Sequence, residues 1–146
     1  MIRPATHEDI PRIVELGRIL HAESSYSSIP YIDEKVIATM RNVIDTGVIF
    51  VAEFDGEVVG GLAGGMAEQW FSNERTAFDY SFFIHPEFRR GAIAVRLMTA
   101  FCEWAKLLGA KTVRMGITTG IHVERTAKLY RAMGFNEVGP LFQKEL

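Results

Sequence analysis

Cysteine is nearly missing from this chain: Cys102 is the only one in 146 residues, so no intrachain disulfide can form. Its place on an apolar helix face reads as a buried thiol, not a nucleophile. Histidine is also sparse. His7, His21, His85 and His122 are scattered, without cysteine partners and without an i, i+4 pair, so no metal site is expected. Neither sign of charge prevails: the net charge is −2 and the pI about 6.1, which gives no broad attraction to nucleic acid or to an anionic membrane. The opening MIRPATHEDIP has no apolar core of leader length. No apolar run approaches the roughly 18 residues of a membrane span. A cytoplasmic protein is the expectation.

What is present is the composition of one folded domain, 1–146, with 48% hydrophobic and 23% charged residues. Ile2 to Pro4 reads as a short strand, and Thr6 with Asp9 as a capping box. Ile10, Ile13, Val14, Gly17 and Leu20 then recur at helical spacing to about His21. Glu23 to Tyr31 is polar and aromatic and contains Pro30, hence a loop. Asp33 opens a second helix, with Val36, Ile37, Met40, Val43 and Ile44 on one face, and Gly47 ends it. The period then switches to two. Val48 to Phe54 and Glu57 to about Met66 form a hairpin around Asp55-Gly56. Gly60, Gly61, Gly64 and Gly65 in the second arm predict a bulge or a close approach of another backbone. Thr76 to Ile84 is a further strand. Ala92 to Leu108 is the strongest helix, its face built from Ile93, Leu97, Met98, Phe101, Trp104, Ala105 and Leu108. Thr112 to Ile117 is a strand, Glu124 to Met133 a helix, and Phe135 to Leu146 a terminal hairpin around Gly139-Pro140. The order β-α-α-β-β-β-α-β-α-β is that of an α/β sandwich on a mixed sheet.

The chemistry concentrates where Phe82-Phe83-Ile84 runs through His85-Pro86-Glu87-Phe88 into Arg89-Arg90-Gly91-Ala92-Ile93-Ala94. A strand stops at a proline, and a short basic turn opens into a long helix. The first N–H groups of a helix lack partners, and its dipole makes that end positive. Small residues at Gly91, Ala92 and Ala94 let a phosphate approach, and Arg89, Arg90 and Arg96 add charge. A pyrophosphate is the natural ligand. A P-loop nucleotide site is excluded by the missing G-K-[ST] lysine.

Arg89 to Ala94 resembles the Q/R-x-x-G-x-G/A motif by which GNAT N-acetyltransferases hold the pyrophosphate of acetyl-CoA. Ile84-His85-Pro86-Glu87-Phe88 is similar to the V-x-P-E-Y that introduces it. Ile2-Arg3-Pro4-Ala5-Thr6 with Asp9 resembles the family's I-R-x-A-x-x-x-D, and Leu129-Tyr130 with Gly134-Phe135 its L-Y-x-x-x-G-F. The order and spacing are kept over nearly the whole chain. Three departures stand beside these matches. Ala92 replaces the commoner glycine, Val123 the asparagine six residues before L-Y, and Gly116 to Gly120 holds no glutamate.

The resemblance implies a mixed, mostly antiparallel central sheet flanked by about four helices. It implies acetyl-CoA as co-substrate, no metal, and direct attack by a primary amine in a ternary complex. Tyr130 takes the role of general acid, because a phenol stays protonated at neutral pH and can meet the departing thiolate. Backbone groups of Phe82, Phe83 and Ile84 pair with the cofactor arm and polarise the acetyl carbonyl. Arg89, Arg90, Gly91, Ala92, Ile93 and Ala94 hold its phosphates. Tyr80 stands where many relatives carry a glutamate base, and alternation puts Asp79 on the opposite strand face. His21, Glu23, Tyr26 and Tyr80 are the expected acceptor contacts, with His21 and Glu23 also candidates for base. The acceptor is a small-molecule or peptide amine. A homodimer stays open. The competing reading is a catalytically silent CoA-binding or interaction module of the same fold.

Overall fold

Each helix forms where apolar residues recur at helical spacing, and each strand where alternation and β-branched residues take over. In the computed structural model, which describes residues 1–146, the chain runs β1 (Ile2–Pro4), α1 (Ile10–Glu23), α2 (Asp33–Thr46), β2 (Val48–Phe54) and β3 (Glu57–Glu68). It continues through β4 (Arg75–Ile84), α3 (Ile93–Leu107), β5 (Thr112–Arg114) and α4 (Val123–Ala132). Two single 3₁₀ turns, His7–Asp9 and Pro86–Phe88, lead into α1 and towards α3. The five strands lie in chain order, antiparallel except for the parallel pair β4–β5.

The sheet separates two cores. On one face α1 and α2 bury Ile13, Leu16 and Val43 against Ile49, Val51 and Phe83. On the other, α3 seats Leu97, Met98, Phe101 and Ala105 on Val59, Leu62 and Ala77. The β3 glycines are what let the aromatic rings in. A Cβ on Gly61 would stand 2.5 Å from the Phe83 ring, and one on Gly64 would stand 2.5 Å from that of Phe101. The bulge expected in this arm is present: Ala52 faces Gly60 and Glu53 faces Val58, leaving Val59 of β3 without a β2 partner. A second bulge has its extra residue in β4. Ala63 faces Ser81 and Gly64 faces Asp79, leaving Tyr80 without a partner.

The expected strand from Thr112 to Ile117 pairs only over Thr112–Arg114, opposite Thr76 to Phe78. Beyond that point β4 and the chain after β5 separate. The terminal hairpin does not form: residues 135–146 are irregular, with Val138, Leu141, Phe142 and Leu146 exposed. The cause is local. The shortened β5 leaves no long edge on which a hairpin could add, Gly139 takes a φ of 151°, and Pro140 has no N–H to donate. Cys102 is half-buried, and that burial raises its thiol pKa, so it stays protonated.

Candidate functional site

Where β4 parts from β5, a cavity of about 610 Å³ opens between the two helical layers. Its floor is Asp79 to Ile84 of β4, one wall is Gly116 to Thr119, and α4 closes the far side with Arg125, Leu129 and Tyr130. The loop after α1 crosses above it. That loop is fastened by the Ser25 N–H to the Thr119 carbonyl at 2.7 Å and by the Ser25 hydroxyl to the Thr118 carbonyl at 3.0 Å.

One end of the cavity is positive for two reasons. The first helical bond of α3 runs from Arg96 N–H to the Ala92 carbonyl, and the N–H groups of Ile93, Ala94 and Val95 have no backbone acceptor. Arg90 and Arg125 border the same end, and neither has a carboxylate partner. The Arg125 guanidinium is steadied by donating to the Arg89 carbonyl at 3.1 Å. Arg89 itself is committed elsewhere. Its fork grips both Glu23 carboxylate oxygens at 2.8 and 2.9 Å, and its Nε donates to the Ile84 carbonyl at 2.8 Å. That bidentate grip holds the Glu23 carboxyl below its usual range.

Midway along the cavity two ionisable groups meet on one residue. The Tyr130 hydroxyl donates to the Gly116 carbonyl at 3.1 Å, and the Gly116 N–H donates to an Asp79 carboxylate oxygen at 3.3 Å. Burial raises the pKa of Asp79, because water that would solvate its charge is excluded. Burial, with Asp79 nearby, also pushes the Tyr130 phenol far above its ordinary value. A carboxyl of raised pKa beside a phenol that is protonated at rest offers a proton acceptor and a proton donor in one place.

A model of the Acetyltransferase (GNAT) family matches residues 15–135. The chain belongs to this family. The GNAT fold also appears in solved structures. Aminoglycoside N-acetyltransferase AAC(6')-Iy with a bisubstrate analogue, CoA-S-monomethyl-acetylneamine, superposes at a TM-score of 0.81 and 18% identity, covering 100% of this chain and 97% of that one. An acetyltransferase from Trypanosoma brucei gives a TM-score of 0.75 at 16% identity, covering 100% and 99%. An aminoglycoside acetyltransferase from an uncultured soil metagenomic sample, in complex with sisomicin, gives 0.75 at 22%, covering 100% and 95%. No curated protein matches the sequence significantly.

Of the residues the GNAT resemblance pointed to, Phe82, Phe83, Ile84, Arg90, Gly91, Ala94 and Tyr130 line the cavity, as do His21, Tyr26 and Tyr80. Arg89 reaches the cavity wall, but its charge is offset by Glu23. Glu23 therefore faces the basic turn and does not line the cavity. Ala92 is the N-cap of α3, and Ile93 packs into the core beneath, so neither borders the cavity; nor does Arg96.

Asp79 lies on the strand face opposite Tyr80, as alternation places it: it sits on the side of Gly64 and α3, while the Tyr80 ring leans on Phe78 at 5.1 Å on the side of Gly65. Because the cavity lies at the parted edge of β4, both residues border it. Arg125, Tyr31 and His122 also line it without having been expected there. Arg125 sits in the first turn of α4, and only its bond to the Arg89 carbonyl, 36 positions away, brings it to this end.

Proposed function

We propose that this GNAT acetyltransferase moves the acetyl group of acetyl-CoA to a primary amine in a ternary complex, with Asp79 as base and Tyr130 as acid. One observation carries the reading: a cavity with an anion-receptive end holds, midway along it, a carboxyl and a phenol joined through Gly116. Acetyl-CoA fits the arrangement as co-substrate. Its pyrophosphate matches the unpartnered N–H groups of α3 together with Arg90 and Arg125. Its extended arm matches the β4 edge from Phe82 to Ile84, where the backbone can act as a strand partner.

The amine arrives as an ammonium and loses one proton to water through Asp79. Its nitrogen then attacks the thioester carbonyl carbon. As the C–N bond forms and the C–S bond breaks, Asp79 takes the second amine proton and Tyr130 protonates the leaving sulfur. Asp79 returns its proton to Tyr130 through solvent, and the products are an acetamide and CoA thiol. Binding both partners along one strand also removes much of the entropic barrier to their encounter.

The test is acetyl-CoA-dependent thiol release with a panel of amines, comparing wild type with Tyr130→Phe. The variant should lose about 10²- to 10⁴-fold in kcat. Its acetyl-CoA affinity should hold, and the lost hydrogen bond should lower stability by about 1 kcal/mol. Acetyl-CoA binding without thiol release from any amine would establish the silent CoA-binding module instead. Equal kcat in Tyr130→Phe would leave the tyrosine a packing residue.

A further inference from the structure

Away from the basic turn, the cavity changes character. Its α1–α2 end is built from Leu20, His21, Tyr26, Tyr31, Met40 and Tyr80, a surface of aromatic and aliphatic groups. Asp79 is the only carboxylate among all the residues lining the cavity. The acids just outside it are already paired, Asp33 with Arg18 and Glu23 in the Arg89 fork.

The aromatic wall is fixed in place. Tyr31 lies over Gly17, where a Cβ would stand 2.5 Å from its hydroxyl, and that hydroxyl donates to the Val14 carbonyl at 2.9 Å. The His21 ring packs on it at 5.2 Å, and the Arg18 guanidinium covers it at 5.5 Å. Arg18 is itself paired with Asp33, so the rim of this end carries an ion pair and no free carboxylate. A ligand group entering here exchanges water for rings and methylenes. A second ammonium would be buried without a free partner.

We infer that the acceptor is a monoamine with an apolar or aromatic body, carrying one positive charge, and not a polyamine or an aminosugar. The inference rests on the transfer reading above and narrows it. Its single ammonium is neutralised by Asp79, and its body is held by Tyr31, Tyr26 and Tyr80. An aminosugar with several ammonium groups would need several carboxylates, and this cavity supplies one. Solved relatives that share the fold include aminoglycoside acetyltransferases, so the wall chemistry separates this chain from their acceptors.

The experiment compares phenethylamine, spermidine and neamine in two assays: calorimetric binding to the CoA-loaded protein, and thiol release from acetyl-CoA. Phenethylamine should lead by about 100-fold in kcat/KM, the range a mismatched pocket imposes, and should bind most tightly in calorimetry. Two variants locate the cause. Tyr80→Ala, at an exposed ring, should raise the KM for phenethylamine with acetyl-CoA affinity unchanged. Tyr26→Asp adds a second carboxylate on the loop and should improve spermidine about 10-fold relative to phenethylamine. Equal or tighter binding of spermidine or neamine by wild type overturns the inference, as does a ranking untouched by Tyr26→Asp. Selective phenethylamine binding with no thiol release leaves the selectivity standing and sinks the transfer reading alone.

Discussion

Asp79 is placed where its charge is poorly solvated, and that choice sets a pH signature. An aspartate in the unfolded chain titrates near 3.8, and burial raises the folded value above this. Between the two values the folded chain binds more protons than the unfolded one, so stability falls as pH rises through that window. Asp9, gripped by Arg3, and Glu23, gripped by Arg89, work in the opposite sense. Their contribution is complete above about 4.5, the ordinary glutamate value, and is lost as pH falls through their lowered folded values. Asp79→Asn isolates the first effect, since the amide oxygen still accepts from Gly116. The variant should melt higher than wild type at neutral pH, with the gap closing as pH falls towards 3.8. It should also lose about 10²- to 10⁴-fold in kcat as a missing base does. A melting difference independent of pH would mean that Asp79 titrates alike in the folded and unfolded chain, with no effect of burial.

At the scale of elements, β3 is the piece on which the others close. Its glycines admit Phe83 from one face and Phe101 from the other. Gly64→Ala would bring a methyl within 2.6 Å of the Phe78 carbonyl oxygen, which is fixed backbone, as well as into the Phe101 ring. A loss of about 1–3 kcal/mol is expected, read as a lowered melting temperature. Gly91→Ala should leave the melting temperature unchanged, because a Cβ there meets nothing within 4 Å. The helices and the first four strands were legible in the sequence, because burying one face imposes a period that Ile13, Val43 or Leu97 displays directly. The basic turn was legible for the same reason, since strand, proline, arginine and helix follow one another in the chain. What stayed hidden depends on partners distant in sequence. Nothing near Tyr80 announces the parting of β4 from β5, which lets Asp79 and Tyr80 border one cavity from opposite strand faces. Likewise, residues 136–146 have strand composition but no edge to join. The Arg89–Glu23 pair spans 66 positions and left no local trace.

Across the whole molecule, charge is sorted along one cavity. Free guanidinium groups stand at the α3 end, a lone carboxyl stands in the middle, and rings occupy the other end. The two arginine roles can be told apart by measurement. Arg90→Ala and Arg125→Ala should each weaken acetyl-CoA by about 10- to 100-fold, the worth of one charge-assisted hydrogen bond, with the melting temperature of the free protein preserved. Arg89→Ala should do the reverse, lowering the melting temperature by freeing Glu23 and the Ile84 carbonyl, with a smaller effect on affinity. Calorimetry beside thermal melts checks all three. If Arg89→Ala proves the most damaging to affinity and harmless to stability, the assignment of the phosphate end is wrong.

The unpaired residue in β4 also has a genetic consequence. Losing one residue from inside a strand ordinarily reverses the facing of everything on one side of the gap. Here the surplus position is Tyr80, so its deletion would leave Arg75 to Asp79 and Ser81 to Ile84 opposite the partners they already have. The chain can therefore shorten by one codon at the floor of its cavity without a frame of strand pairing being lost. A Tyr80 deletion should fold, melt within a few degrees of wild type, and keep Asp79 turned towards Gly116. In a lineage, the lining of the cavity could then change by length at this position while Asp79 and Tyr130 stay where they are.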